Sequence, residues 1–99
     1  MSAYKKVEVE VETPDDALVA AQAGADIIML DNMSPGQVKK ALALLEREGL
    51  RERIVIELSG RINPDTIRNY ASLGADVISL GALTHTVKNF SVKLEIIPG

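Results

Sequence analysis

Apolar and polar residues alternate from Val7 to Glu12, with Val7, Val9 and Val11 on one side and Glu8, Glu10 and Glu12 on the other. That period of two predicts a strand with one apolar and one acidic face. Thr13-Pro14 follows, a side-chain acceptor and then a ring that presets the first helical turn, with Asp15 and Asp16 where the helix dipole favours negative charge. A helix is therefore predicted to about Ala23, stopped by Gly24, and Ala25 to Leu30 reads as a short strand buried on both faces. The acceptor-plus-proline device returns at Ser34-Pro35 and Asn63-Pro64. After the first of these, Val38, Ala41, Leu42 and Leu45 keep one face of a helix apolar until Gly49. The rest of the chain reads as a strand over Arg53–Leu58, a helix over Pro64–Leu73 and a strand over Ala75–Leu80. A short helix over Leu83–Asn89 and a last alternating strand over Val92–Ile97 complete it. The resulting order is βαβαβαβαβ, and every connection is expected to be a right-handed parallel crossover.

Part of that pattern is an internal repeat. Pro14, Asp15, Ala21, Gly24, Ala25, Asp26, Ile28 and Leu30 recur fifty positions on as Pro64, Asp65, Ala71, Gly74, Ala75, Asp76, Ile78 and Leu80. Repeated βα units build either an open doubly wound sheet of the flavodoxin type or part of a (β/α) barrel, whose full form needs about 250 residues. At 99 residues the chain is a single domain and would supply about half a barrel. The three glutamates of the first strand are costly to bury unpaired, so that strand is either an exposed edge or turns its acidic face into a wet site.

Composition narrows the function. Three aromatic residues and a formal charge of −3 argue against a base-stacking platform or a polyanion-binding surface, so neither nucleic acid nor membrane is an expected partner. Without cysteine the chain has no thiolate nucleophile, disulfide or sulfur-ligated metal, and a cytoplasmic setting is expected. No nucleophile–base pair, HExxH motif or GxxxxGK[ST] loop is present.

In either architecture the carboxyl ends of the strands share one rim. It would carry Glu10 and Glu12, Asp31-Asn32, Ser59-Gly60-Arg61 and Gly81-Ala82. Carboxylates on neighbouring strand ends can hold ribose hydroxyls or a hard cation such as Mg²⁺. A Ser-Gly turn and a second glycine let backbone N–H groups approach a phosphate, so the combination points to a phosphorylated sugar. Asp31-Asn32 alone also reads as a turn, Ser59-Gly60 as a loop, and His85, the one histidine, as a surface or capping residue.

The segments Val7–Val11, Gly24–Met33, Ser59–Asn63 and Gly81–His85 follow one another as in quinolinate phosphoribosyltransferase, and the chain most resembles archaeal members from about Lys5 to Ile97. The resemblance is to the carboxyl-terminal part of that enzyme. It implies an open, incomplete α/β barrel that joins quinolinate to phosphoribosyl pyrophosphate with Mg²⁺, giving nicotinate mononucleotide, carbon dioxide and pyrophosphate in NAD synthesis. By matching motifs, Glu10 and Asp31 resemble the acidic pair that holds the ribose and its metal ion and stabilises the developing oxocarbenium charge. Ser59 and Gly60 resemble the phosphate-gripping turn, Gly81 a second backbone contact, and His85 a residue lining that corner.

Two departures qualify the transfer. The family's basic cluster for the quinolinate carboxylates lies upstream of the segment matching Glu8, and Arg61 stands where the family has glycine. If that position needs positive φ, a side chain costs about 1–2 kcal/mol, and its bulk is expected to crowd an incoming phosphate. The resemblance thus implies a barrel fragment that folds but does not catalyse alone, binds phosphoribosyl pyrophosphate or phosphate at most, and pairs through open sheet edges as a homodimer or rearranges into a flavodoxin-like sheet. The alternatives are a catalytic half that works with a second chain, and a non-catalytic phosphate- or phosphosugar-binding module.

Overall fold

A computed structural model describes residues 5–80, 83–86 and 93–96. The alternating start of the chain forms β1 (Glu8–Val11), and Thr13 caps α1 (Pro14–Gln22) by accepting from the Asp16 N–H at 3.1 Å. Then come β2 (Ile27–Asp31) and α2 (Pro35–Arg47). The latter starts in a reciprocal box, the Gln37 N–H reaching Ser34 Oγ and the Ser34 N–H reaching Gln37 Oε1. A 3₁₀ turn at Arg51–Arg53 leads into β3 (Val55–Ser59), followed by α3 (Ile67–Ala71) and β4 (Val77–Leu80).

The four strands pair in parallel and in chain order, β1-β2-β3-β4, with Glu10 level with Met29 and Glu57, and Asp31 level with Ser59. Right-handed crossovers that always step the same way place every helix on one side of the sheet. Val11, Ile28, Leu30, Ile56, Leu58 and Ile78 accordingly form one buried layer with Ala17, Ala21, Val38, Ala41, Leu45 and Tyr70 of the helices. Sequential order without a reversal is the succession of a barrel; a flavodoxin-type sheet turns back at a switch point, and none occurs among the described strands. The domain is an open α/β sheet compatible with part of a barrel.

Strand alternation sends the neighbouring residues to the other face. There Glu8 and Glu10 are exposed, and Ile27, Met29, Asp31, Val55, Glu57, Ser59, Val77 and Ser79 are half-buried, with no described helix over them. The first strand is thus both a sheet edge and one flank of this open face, so the two explanations of its glutamates hold together.

The second half departs from expectation in three places. The helix predicted over Leu83–Asn89 is a strand where it is described: β5 (Leu83–Thr86) runs antiparallel to β4, while 87–89 lie outside the described residues. The last strand exists as β6 (Lys93–Ile96) but pairs antiparallel with β5, so parallel crossovers stop at β4. Thr84 and Thr86 favour a pleated backbone, and the alternating partner strand outweighs the weak helical spacing around them. The third helix is regular from Ile67 instead of Pro64; Pro64–Thr66 form a turn headed by Asn63, whose side chain accepts from the N–H groups of Asp65 (2.8 Å) and Thr66 (2.9 Å) as the acceptor-plus-proline pattern predicts.

Candidate functional site

Two loops at the carboxyl ends of β2 and β3 meet in the middle of the rim. The Asn32 N–H donates to the Ser59 carbonyl at 2.8 Å, extending the parallel pairing one residue past β2. Gly60, at φ +71°, allows the contact: a Cβ there would stand 3.0 Å from Asn32 N and 3.1 Å from Asp31 Oδ1. Only glycine combines that conformation with that approach. On either side the chain takes left-handed backbone at non-glycine residues, Asn32 (φ +60°) and Arg61 (φ +49°). The two residues are linked, Arg61 Nε–H donating to Asn32 Oδ1 at 3.0 Å. Position 61 thus adopts positive φ, and its side chain is drawn sideways onto the neighbouring loop.

Asp31 and Ser59 lie side by side in register on the open face, with Glu10 diagonal to Asp31 on the next strand. Glu10, Glu12 and Asp31 also share an open cleft of about 540 Å³ with Asp16 and Val19 of α1. The side chains of Glu10, Asp31 and Ser59 make no hydrogen bond to other described residues, although the backbone of the two loops is joined through Asn32 and Ser59. Side-chain oxygens left open on a rigid rim are available to hydroxyls, a hard cation or phosphate.

The other expected site residues are placed differently. His85 is level with Ile78, and through it with Leu58, so its backbone lies two strands, about 10 Å, from β3. Gly81 lies outside the described residues. Glu57 is the residue that sequence reasoning missed: it shares the open face with Glu10 and Asp31 and accepts the Ser79 hydroxyl at 2.9 Å. The signal was available in the two-residue step from Glu57 to Ser59 within an otherwise apolar strand.

Among the described residues no three acidic or histidine side chains converge in a metal-binding group. Glu10 and Asp31 nonetheless offer the donor set that Mg²⁺ takes when it keeps most of its waters, one or two carboxylates completed by a phosphorylated ligand.

Comparison with known proteins supplies the context. The family profile described as quinolinate phosphoribosyl transferase, C-terminal domain, matches residues 1–95. A probable nicotinate-nucleotide pyrophosphorylase (carboxylating) of Methanothermobacter thermautotrophicus is 54% identical over 96 residues, covering 97% of this chain and 34% of the relative. One of the same name from Archaeoglobus fulgidus is 45% identical over 93 residues, covering 94% and 36%. The solved nicotinate-nucleotide pyrophosphorylase of Francisella tularensis superposes with a TM-score of 0.68 at 35% identity, over 94% of this chain and 29% of that one. The chain thus spans about a third of the length of the relatives it matches.

Proposed function

This chain belongs to the quinolinate phosphoribosyl transferase family, as its C-terminal domain, and on that premise we propose that it is a single-domain barrel fragment forming the ribose- and phosphate-binding rim of a quinolinate phosphoribosyltransferase, a step of NAD synthesis. The observation that carries this reading is the set of unpartnered oxygens of Glu10, Asp31 and Ser59 around the loop contact at Gly60, on the rim where barrels keep their chemistry.

In this reading Glu10 and Asp31 hold the ribose hydroxyls and would also hold a hydrated Mg²⁺, which when bound would supply positive charge against the pyrophosphate. Their negative charge faces the sugar as it becomes oxocarbenium-like, the part of the reaction where fixed carboxylates lower the barrier. Ser59 and Gly60 take the 5′-phosphate; the family resemblance offers Gly81 as a further backbone contact, while His85, two strands from β3, would reach that phosphate only from across β4. Glu57, held by Ser79, keeps a further carboxylate on the open face.

No lysine or arginine stands on the open face of β1–β4, so the rim strands carry no cation of their own for the two carboxylates of quinolinate; Lys93 of β6, level with Val77 through Thr86, lies two strands beyond β4. The chain alone should bind phosphoribosyl pyrophosphate and leave quinolinate unconverted. Calorimetry with phosphoribosyl pyrophosphate, with and without Mg²⁺, tests the rim: Mg²⁺-dependent heat at millimolar ligand supports it, and none at either condition overturns it. Turnover of quinolinate by the purified chain would refute the need for a second polypeptide. The open edges β1 and β6 support pairing with a second copy. Pairing β1 with β6 of the partner avoids the Glu8 and Glu10 repulsion that β1–β1 pairing would create. Light scattering should give a dimeric mass, and a strictly monomeric one excludes this assembly.

A further inference from the structure

A phosphate dianion entering the Ser59–Gly60 turn meets an acidic neighbourhood. Asp31 Oδ1 lies 3.1 Å from where a Cβ of Gly60 would be, and Glu10 and Glu12 flank the same rim. Two like charges at such separation repel strongly unless a cation stands between them. Of the described residues on these loops, Arg61 alone is cationic. Its guanidinium is not free to wander, because Nε–H is engaged by Asn32 Oδ1 at 3.0 Å, and it makes no other hydrogen bond to described residues. The two Nη groups, the end of the fork that binds oxyanions in bidentate fashion, are left open. Left-handed backbone is strained for an arginine, and strain of this kind persists where surrounding structure enforces it, commonly at ligand sites.

We infer that Arg61 is a phosphate-binding residue, a guanidinium pre-aimed by Asn32 that supplies the Ser59–Gly60 turn with a side-chain contact to a phosphate dianion. This rests on the rim reading above and adds to it a ligand-contacting residue and its positioning partner. It also reverses the expectation that bulk at position 61 crowds the anion, since the Asn32 bond draws the side chain aside from Gly60.

The test is titration of the full chain with inorganic phosphate, followed by ³¹P NMR, for the parent and for Arg61→Gly, Arg61→Lys, Asn32→Gly and Ser59→Ala. Glycine suits the positive φ at both 61 and 32, so both variants should fold with urea midpoints no lower than the parent's. Arg61→Gly should weaken phosphate binding about tenfold or more, Arg61→Lys less, and Asn32→Gly about threefold by releasing the guanidinium. Phosphate binding by Arg61→Gly equal to or tighter than the parent's overturns the inference while the rim reading stands, provided Ser59→Ala weakens it. An unchanged Asn32→Gly overturns the positioning by Asn32. No binding by the parent overturns the inference and the phosphate site together.

Discussion

The two ends of the sheet use the same residue types for opposite purposes. At the amino-terminal end two aspartates tie down the starts of strands. Asp26 Oδ2 accepts the Val7 N–H at 2.8 Å, and Asp76, fifty residues later in the repeat, accepts the Ile56 N–H at the same distance. Arg51 then locks that corner, donating to Asp76 Oδ2 (3.2 Å), the Gly74 carbonyl (2.6 Å) and the Ile54 carbonyl (2.9 Å). At the carboxyl end the Asn32 N–H joins the two loops through the Ser59 carbonyl, yet the side chains of Glu10, Asp31 and Ser59 have no described partner. One end uses Asp26, Asp76 and Arg51 to hold strands in register, and the other leaves Glu10, Asp31 and Ser59 open, a contrast that parallels the division between the stability face and the reactive face of barrels.

The contrast can be broken most severely at Asp76. Its side chain and that of Arg51 are 18% and 14% exposed, so Asp76→Ala leaves a mostly buried cation and the Ile56 N–H unmatched. The expected loss is about 3 kcal/mol in urea unfolding, and a loss below about 1 kcal/mol would remove the claim that this end is structural. Ser34→Ala sharpens the comparison from the rim side, because Ser34 caps α2 and contacts no ligand in our reading. It should cost about 1 kcal/mol without changing the affinity for phosphoribosyl pyrophosphate measured by calorimetry. The smallest change in stability belongs to Asp31→Asn, an isosteric swap at an unpartnered side chain. Its unfolding free energy should stay within about 0.5 kcal/mol of the parent's, while Mg²⁺-dependent binding of phosphoribosyl pyrophosphate falls about tenfold. Equal affinity would take Asp31 out of the site.

The parallel half of the fold was legible because each element carried a local signal: valine–glutamate alternation for β1, the Thr13 and Ser34 caps, and the apolar spacing of α2. Strand β5 was not, because four residues of mixed polarity acquire their conformation from β4 and β6 on either side. The rim loops show the same limit. That Asp31 and Ser59 sit at strand ends follows from the pattern, but their register does not. Nor does the pattern reveal that Gly60 seats against Asn32, or that Arg61 reaches across 29 residues to its side chain. Glu57 escaped notice because its neighbours Ile56 and Leu58 are core residues, and only the sheet sets it beside Glu10 and Asp31.

The one-sided core has a consequence for how such proteins can be assembled. The apolar layer lies wholly between the sheet and its helices, and the other face is lined with carboxylates and half-covered aliphatics. Each added βα unit therefore brings its own share of the interior with it. A barrel made this way can grow, be duplicated or be recombined by whole units, because every junction between units has the same make-up, parallel strand pairing in the sheet and helix packing on its one covered side.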